Sequence, residues 1–133
     1  MLMFVNVSAR DTLQDYLWRY RLVLLFTSSL SDSLIAKQVS LLKSQTDELL
    51  DRDLKLIIVP RNSSPTIDGK SGFSSSESFY KRFNVQDDSF TFILVGKDGT
   101  EKLRRLGKVV SPQELFQLID SMPMRKAEMA TGN

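Results

Sequence analysis

LVLLFTSSLSDSLIAKQ, residues 22–38, decides the fold. Leu22 to Phe26 is an unbroken apolar run of strand length, which calls for burial on both faces and so a central place in a sheet. The run ends in a small polar turn, Thr27-Ser28-Ser29-Leu30-Ser31. Asp32 then stands where a helix N-cap belongs, and Ile35, Val39 and Leu42 follow at helical spacing. A buried strand that passes through a short hydroxyl-rich turn into a capped helix is the first half of a βαβ unit.

The second half follows. The helix is expected to run to about Arg52, with Leu49 and Leu50 continuing its buried side, and KLIIV at 55–59 is a second buried strand. The two strands are then parallel and joined right-handedly. Residues 60–74, PRNSSPTIDGKSGFS, hold two Pro and two Gly and read as a polar loop. Ser74 and Glu77 have capping-box spacing ahead of a helix that carries Phe79, Tyr80 and Phe83 and stops near Asn84. FTFILV at 90–95 is a third strand, Lys97-Asp98-Gly99 a tight hairpin tip, and EKLRRL at 101–106 a fourth strand whose charge suits a sheet edge.

The chain's strongest local signal is Ser111-Pro112-Gln113-Glu114, in which Ser caps, Pro takes the first helical position and Glu reaches back to the cap. Leu115, Ile119 and Met122 give that helix one buried face, and Pro123 ends or kinks it. MRKAEMA, 124–130, can add one more turn before the last residues fray. Upstream, SARDTLQDYLWRY at 8–20 reads as an extra N-terminal helix capped by Ser8, with Leu13, Tyr16, Leu17 and Tyr20 on one side. MLMFVNVSA at the start resembles the tail of an export-signal cleavage site, but it is short and lacks a basic beginning, so it reads as a short strand or arm. At 133 residues the chain is a single domain, with a core over about 13–122 and a C-terminal tail at 123–133.

Composition removes whole classes of chemistry. The sequence has no cysteine and no histidine. Thiol nucleophiles, dithiol redox chemistry, disulfides and Ser-His or Cys-His catalysis are excluded, and no metal or cofactor is expected. Zero cysteine suits a reducing or an oxidising compartment alike. Eighteen basic and sixteen acidic residues leave a net charge of +2, too balanced to imply nucleic acid. No apolar run approaches the ~20 residues of a membrane span.

Two places could carry a site. Thr27, Ser28, Ser29 and Asp32 lie at a helix start, where free backbone N–H groups can hold a small anion. Against this, Asp32 as a cap consumes those donors and adds negative charge, and the plain reading is an ordinary helix start. Lys97, Lys102, Arg104, Arg105 and Lys108 concentrate five cations on the hairpin and form the candidate surface for a polyanion or partner. They lack interleaved aromatics, and edge strands carry such charge simply to block sheet-to-sheet pairing. If residues alternate, Lys102 and Arg104 share one face while Leu103 and Arg105 share the other. Asp51-Arg52-Asp53 reads as structural, with Arg52 pairing a neighbouring carboxylate or capping helix carbonyls. Asp87, Asp88 and Asp98 lack the spacing of a calcium loop and read as turn and cap residues.

The order β, α, β, α, β, β, α is that of the thioredoxin core. Three stretches, ELLDRDLKLIIV (48–59), FNVQDDSFTFILVGKDGTEK (83–102) and LFQLIDSMPMRKAEM (115–129), resemble the thioredoxin-like domain of unknown function found in small bacterial proteins and in secreted sushi-repeat-containing matrix proteins. The resemblance covers roughly 13–129 and implies an α/β thioredoxin-like fold. Its four-stranded mixed sheet has the order 2-1-3-4, with helices on both faces. It implies no established activity. In redox thioredoxins the turn after the first core strand holds two cysteines, and a cis-proline faces them before the third; here the turn reads TSSLS and the second position, near Asp88-Ser89, has no proline. The expectation is a non-catalytic binding module for another protein. The alternative is a small-anion binder, or an enzyme independent of cysteine, at residues 27–32.

Overall fold

The computed structural model describes residues 12–73, 75–86 and 89–131. Its centre is strand β1 (Arg21–Thr27), buried along its whole length. β2 (Leu54–Pro60) pairs with β1 in parallel, and β5 (Thr91–Val95) pairs with its other side antiparallel. β6 (Glu101–Leu106) returns along β5 and forms the sheet edge. These four strands reproduce the expected 2-1-3-4 core. The sheet is wider than expected, because the segment read as a plain loop contains a small hairpin, β3 (Thr66–Ile67) and β4 (Lys70–Ser71), that adds to β2. The full order is β4-β3-β2-β1-β5-β6. Asp68 and Gly69 turn that hairpin with positive φ, and Asp68 accepts from the Leu56 amide. Two-residue strands fall below what apolar alternation can reveal in a sequence.

Alternation along β1 sends Leu22, Leu24 and Phe26 to one face and Val23 and Leu25 to the other. The first face packs on Phe79, Tyr80 and Phe83 of α3 (Ser76–Arg82) and its exit, and on Phe73. Phe26 meets Tyr80 edge-on with ring centroids 4.9 Å apart. The second face packs on Ile35 and Leu42 of α1 (Ser33–Lys43) and on Leu115 and Ile119 of α4 (Pro112–Asp120). Each fully buried aliphatic or aromatic side chain contributes about 1.5–3 kcal/mol, so the two cores supply most of the driving force for folding. Gln38 is fully buried on α1 and bonds both backbone groups of Val110, as acceptor for its amide at 2.7 Å and donor to its carbonyl at 2.9 Å. That side chain acts as a strand partner for a segment that has none.

Three expected elements differ. The long helix to Arg52 is two helices, α1 and α2 (Thr46–Asp51). The break falls at Gln45, while the Ser44 and Thr46 hydroxyls bond the carbonyls of Leu41 and Lys43. Such hydroxyls compete with helix hydrogen bonds and favour an interruption. Among the described residues of the expected N-terminal helix a 3-10 turn over Leu13–Tyr16 forms, and Trp18 at φ 67° keeps it from continuing to Tyr20; the proposed cap Ser8 lies outside the described residues. Residues 123–130 form a further helix, α5 (Pro123–Ala130), where one turn was expected. Ser74 of the anticipated capping box is outside the described residues, and α3 begins after Ser75.

Candidate functional site

The turn after β1 is tightly self-bonded. Thr27 is buried; its hydroxyl donates to the Ser29 carbonyl at 2.7 Å and accepts from the Ser29 amide at 3.2 Å. Ser29 Oγ accepts from the Ser31 amide and lies 2.7 Å from Ser31 Oγ. The Asp32 amide donates to the Ser29 carbonyl, and Asp32 Oδ1 accepts from the Leu34 amide at 2.8 Å. Asp32 is thus the N-cap of α1, as its position suggested. The structure brings Thr27, Ser28, Ser29 and Asp32 together, but it spends the Thr27 and Ser29 hydroxyls and the Asp32 carboxylate on the loop itself. Ser28 and Leu30 are exposed at the tip.

The five hairpin cations do not form one open patch. Lys97 is buried, and its ammonium bonds Asp53 at 2.8 Å and Glu128 at 2.7 Å. Lys102 pairs with Asp98 at 3.1 Å. Arg104 holds Glu101 through two nitrogens and also bonds the Phe83 carbonyl at the end of α3. Arg105 reaches Glu114 on the opposite face. Arg104 and Arg105 therefore do point to opposite faces. Lys108 is exposed and has no ion pair among the described residues. The Arg105–Glu114 pair also revises the expected capping box: Ser111 Oγ accepts from the Glu114 amide, but the Glu114 carboxylate turns to Arg105, whose hydrogen bonds hold it below its ordinary pKa. Asp98 closes the hairpin tip by accepting from the Thr100 amide and hydroxyl as well as from Lys102, which also lowers its pKa. Gly99 takes φ 84° there and abuts Leu17, so a Cβ would collide with that side chain.

The most elaborate polar construction was not expected. At the opposite end of β1, four cations that are all less than a tenth exposed meet five carboxylates. The Arg21 guanidinium binds both oxygens of Glu128, at 3.2 and 3.1 Å, and the Arg52 carbonyl at 2.9 Å. Arg52 binds both oxygens of Asp120, at 3.0 and 2.9 Å, plus Glu48, and stacks over Phe116. Arg125 joins Asp120 at 3.0 Å to Asp51 at 2.6 Å. Lys97 links Asp53 to Glu128. Arg52 thus caps the Glu48 carbonyl at 3.0 Å, one of its two expected roles, and pairs with Glu48 one turn back and with Asp120 across the fold, not with Asp51 or Asp53. Burial works to raise the carboxyls of Glu128 and Asp120, but the cations around each outweigh it and hold both below their ordinary values. The cluster fastens α5, whose only buried residue is Arg125, to the base of the sheet. The three stretches that carry the family resemblance supply every member except Arg21. The one local hint is Arg21 itself, a charge opening an otherwise apolar strand, which demands a buried partner.

Solved structures share this architecture. The reduced 2-Cys peroxiredoxin of Plasmodium vivax superposes with a TM-score of 0.63 at 16% identity, covering 86% of this chain and 84% of that one. The pneumococcal exposed lipoprotein thioredoxin Etrx1 of Streptococcus pneumoniae gives 0.57 at 13% identity, covering 83% and 90%. The fold is therefore thioredoxin-like. A model of the domain of unknown function DUF4174 matches residues 12–128, and coiled-coil domain-containing protein 80 of Danio rerio is 33% identical over 118 residues, 87% of this chain. The chain belongs to the DUF4174 family. It corresponds to 14% of the length of that zebrafish relative. Among the described residues no helix is long and apolar enough to cross a membrane.

Proposed function

We propose that this domain is a non-catalytic protein-interaction module on a thioredoxin-like frame. One observation carries the reading. The loop that would house chemistry in this fold is closed on itself: Thr27, Ser29, Ser31 and Asp32 bond to one another and to their own backbone. An incoming anion would have to displace the Asp32 carboxylate from the helix start, and a serine nucleophile would find no histidine to activate it. A polyanion on the hairpin would likewise have to take Lys102, Arg104 and Arg105 from Asp98, Glu101 and Glu114. With these groups of both sites engaged internally, and Ser28 and Lys108 the exposed exceptions, the capacity to bind lies in the shape and remaining surface of the domain.

The test is a thermal-shift series on wild type and on Ser28→Ala/Ser29→Ala, with phosphate, carboxylate metabolites, nucleotides, glutathione, heparin and RNA, followed by cross-linking to protein partners. A ligand at a hundred times its Kd adds about 2.7 kcal/mol, a rise of several degrees. The module reading expects no small-anion shift and a protein cross-link that survives in the double variant. A small-anion shift lost in that variant would transfer the function to the turn.

A further inference from the structure

The base of the molecule has a surface as well as an interior. Among the described residues, Leu50 on α2 and Met129 on α5 are large apolar side chains left 67% and 40% exposed. They come from helices distant in sequence, yet both line a single groove of about 350 Å³, together with Asp51, Asp53, Arg125 and Glu128. Scattered single apolar residues need no explanation, but two from separate elements converging on one groove do.

The ion cluster beneath gives that groove its sign. The cations lie inside, with Arg52, Lys97 and Arg125 side chains 9%, 8% and 6% exposed; their partners Glu48, Asp51 and Asp53 are 52%, 54% and 45% exposed. Asp51 and Asp53 each bind inward through Oδ2 alone. Asp47, exposed one turn before Asp51 on α2, lies outside this groove, in a separate depression with Lys43 and Glu48. The groove around Leu50 and Met129 is therefore lined by the Asp51, Asp53 and Glu128 carboxylates against one inward-bonded guanidinium, that of Arg125, with Lys126 exposed one turn before Met129; its lining is net acidic although the protein as a whole carries a net charge of +2.

We infer that this groove docks a basic, amphipathic segment of another protein, with an apolar side chain seated between Leu50 and Met129 and flanking Lys or Arg side chains on Asp51 and Asp53. The inference rests on the interaction-module reading and names its surface and partner chemistry. Charge complementarity selects the occupant. A polyanion would meet the wrong sign, and a second copy seated face to face would set carboxylates against carboxylates. The apolar anchor supplies affinity and the charged flanks supply register and encounter rate. A helix in a groove and an extended segment both satisfy this pattern.

The experiment uses three dye-labelled synthetic peptides and fluorescence anisotropy: one with leucines flanked by Lys and Arg, one with its basic residues changed to Glu, and one with its leucines changed to Ser. Only the first is expected to bind wild type, and its binding should weaken with salt. Leu50→Lys/Met129→Lys replaces only exposed side chains, so it should keep the wild-type melting temperature while lowering affinity by about tenfold or more. No binding of the first peptide, equal binding of all three, or unchanged affinity in the double variant would overturn the groove. The same two proteins are then compared in cross-linking to native partners. A partner held equally by both removes the groove but leaves the interaction module standing. No partner on either protein, with a silent peptide, removes both.

Discussion

The two ends of β1 are built to opposite plans. At the upper end, the side chains of Thr27, Ser29 and Asp32 make a compact loop of bonds reaching no further than a few residues, and only the Thr27 carbonyl is tied from afar, by the Arg61 amide and the Tyr80 hydroxyl. At the lower end, Arg21 reaches across 107 positions to Glu128, Arg125 across 74 to Asp51, and Arg52 across 68 to Asp120. The fold class draws attention to the upper end, yet the long-range chemistry of this protein is at the lower one. A thioredoxin-like frame can keep its helix start without cysteines, because an Asp cap and hydroxyls satisfy backbone donors there. The base holds the C-terminal helix, which has almost no apolar contact of its own.

The largest effects should come from breaking the base. Glu128→Ala leaves Arg21 and Lys97 buried without their shared carboxylate and should cost about 3–5 kcal/mol, on the order of 10 °C in Tm by calorimetry. Arg125→Ala should act similarly and free α5 to hydrogen exchange ahead of the sheet. A loss below about 1 kcal/mol in either would mean that the cluster is ornamental and the two ends are alike.

Acid should dissect the same cluster. Glu128 and Asp120 have folded-state pKa values below their ordinary ones. Their linkage contribution is therefore present above the ordinary carboxylate pKa of about 4 and is lost as pH falls through the depressed values. The stability gap between wild type and Glu128→Gln should accordingly be constant near neutrality and shrink below about pH 4 in denaturant titrations. A gap that grows on acidification would contradict the assignment.

Smaller effects lie between and at the upper end. Gln38→Leu would strand the Val110 amide and carbonyl in the core at a cost of about 1–3 kcal/mol in chemical denaturation. Ser28→Ala/Ser29→Ala, which removes only local bonds, should cost less than about 1.5 kcal/mol. Asn84→Gly, at the φ 53° position ending α3, should be neutral or stabilising by a few tenths of a kcal/mol.

How much of this the sequence discloses follows the same division. The upper end was legible because its signals are local: an apolar run, a hydroxyl turn, Asp32 as a cap. The two core faces and the edge position of β6 followed from periodicity and charge. The base was opaque because its pairs are set by topology. Arg52 flanked by Asp51 and Asp53 suggests neighbours pairing, whereas helix geometry and the strand that follows send the three side chains to different partners. The five hairpin cations resembled a surface for the same reason, since Glu101, Glu114, Asp53 and Glu128 come to them only in three dimensions. The helix break at Gln45 and the αL residue Trp18 turn on single backbone torsions that periodicity does not encode.

The most direct test is an amide NMR titration of the labelled protein with phosphate, small carboxylates and nucleotides, read at Ser28 to Leu34. The interaction-module account predicts no saturating shift at those amides, because those of Ser29, Ser31, Asp32 and Leu34 are already bonded within the loop. A saturating shift there that disappears in Ser28→Ala/Ser29→Ala would show that the turn still binds, and that the function of this protein lies at the upper end after all.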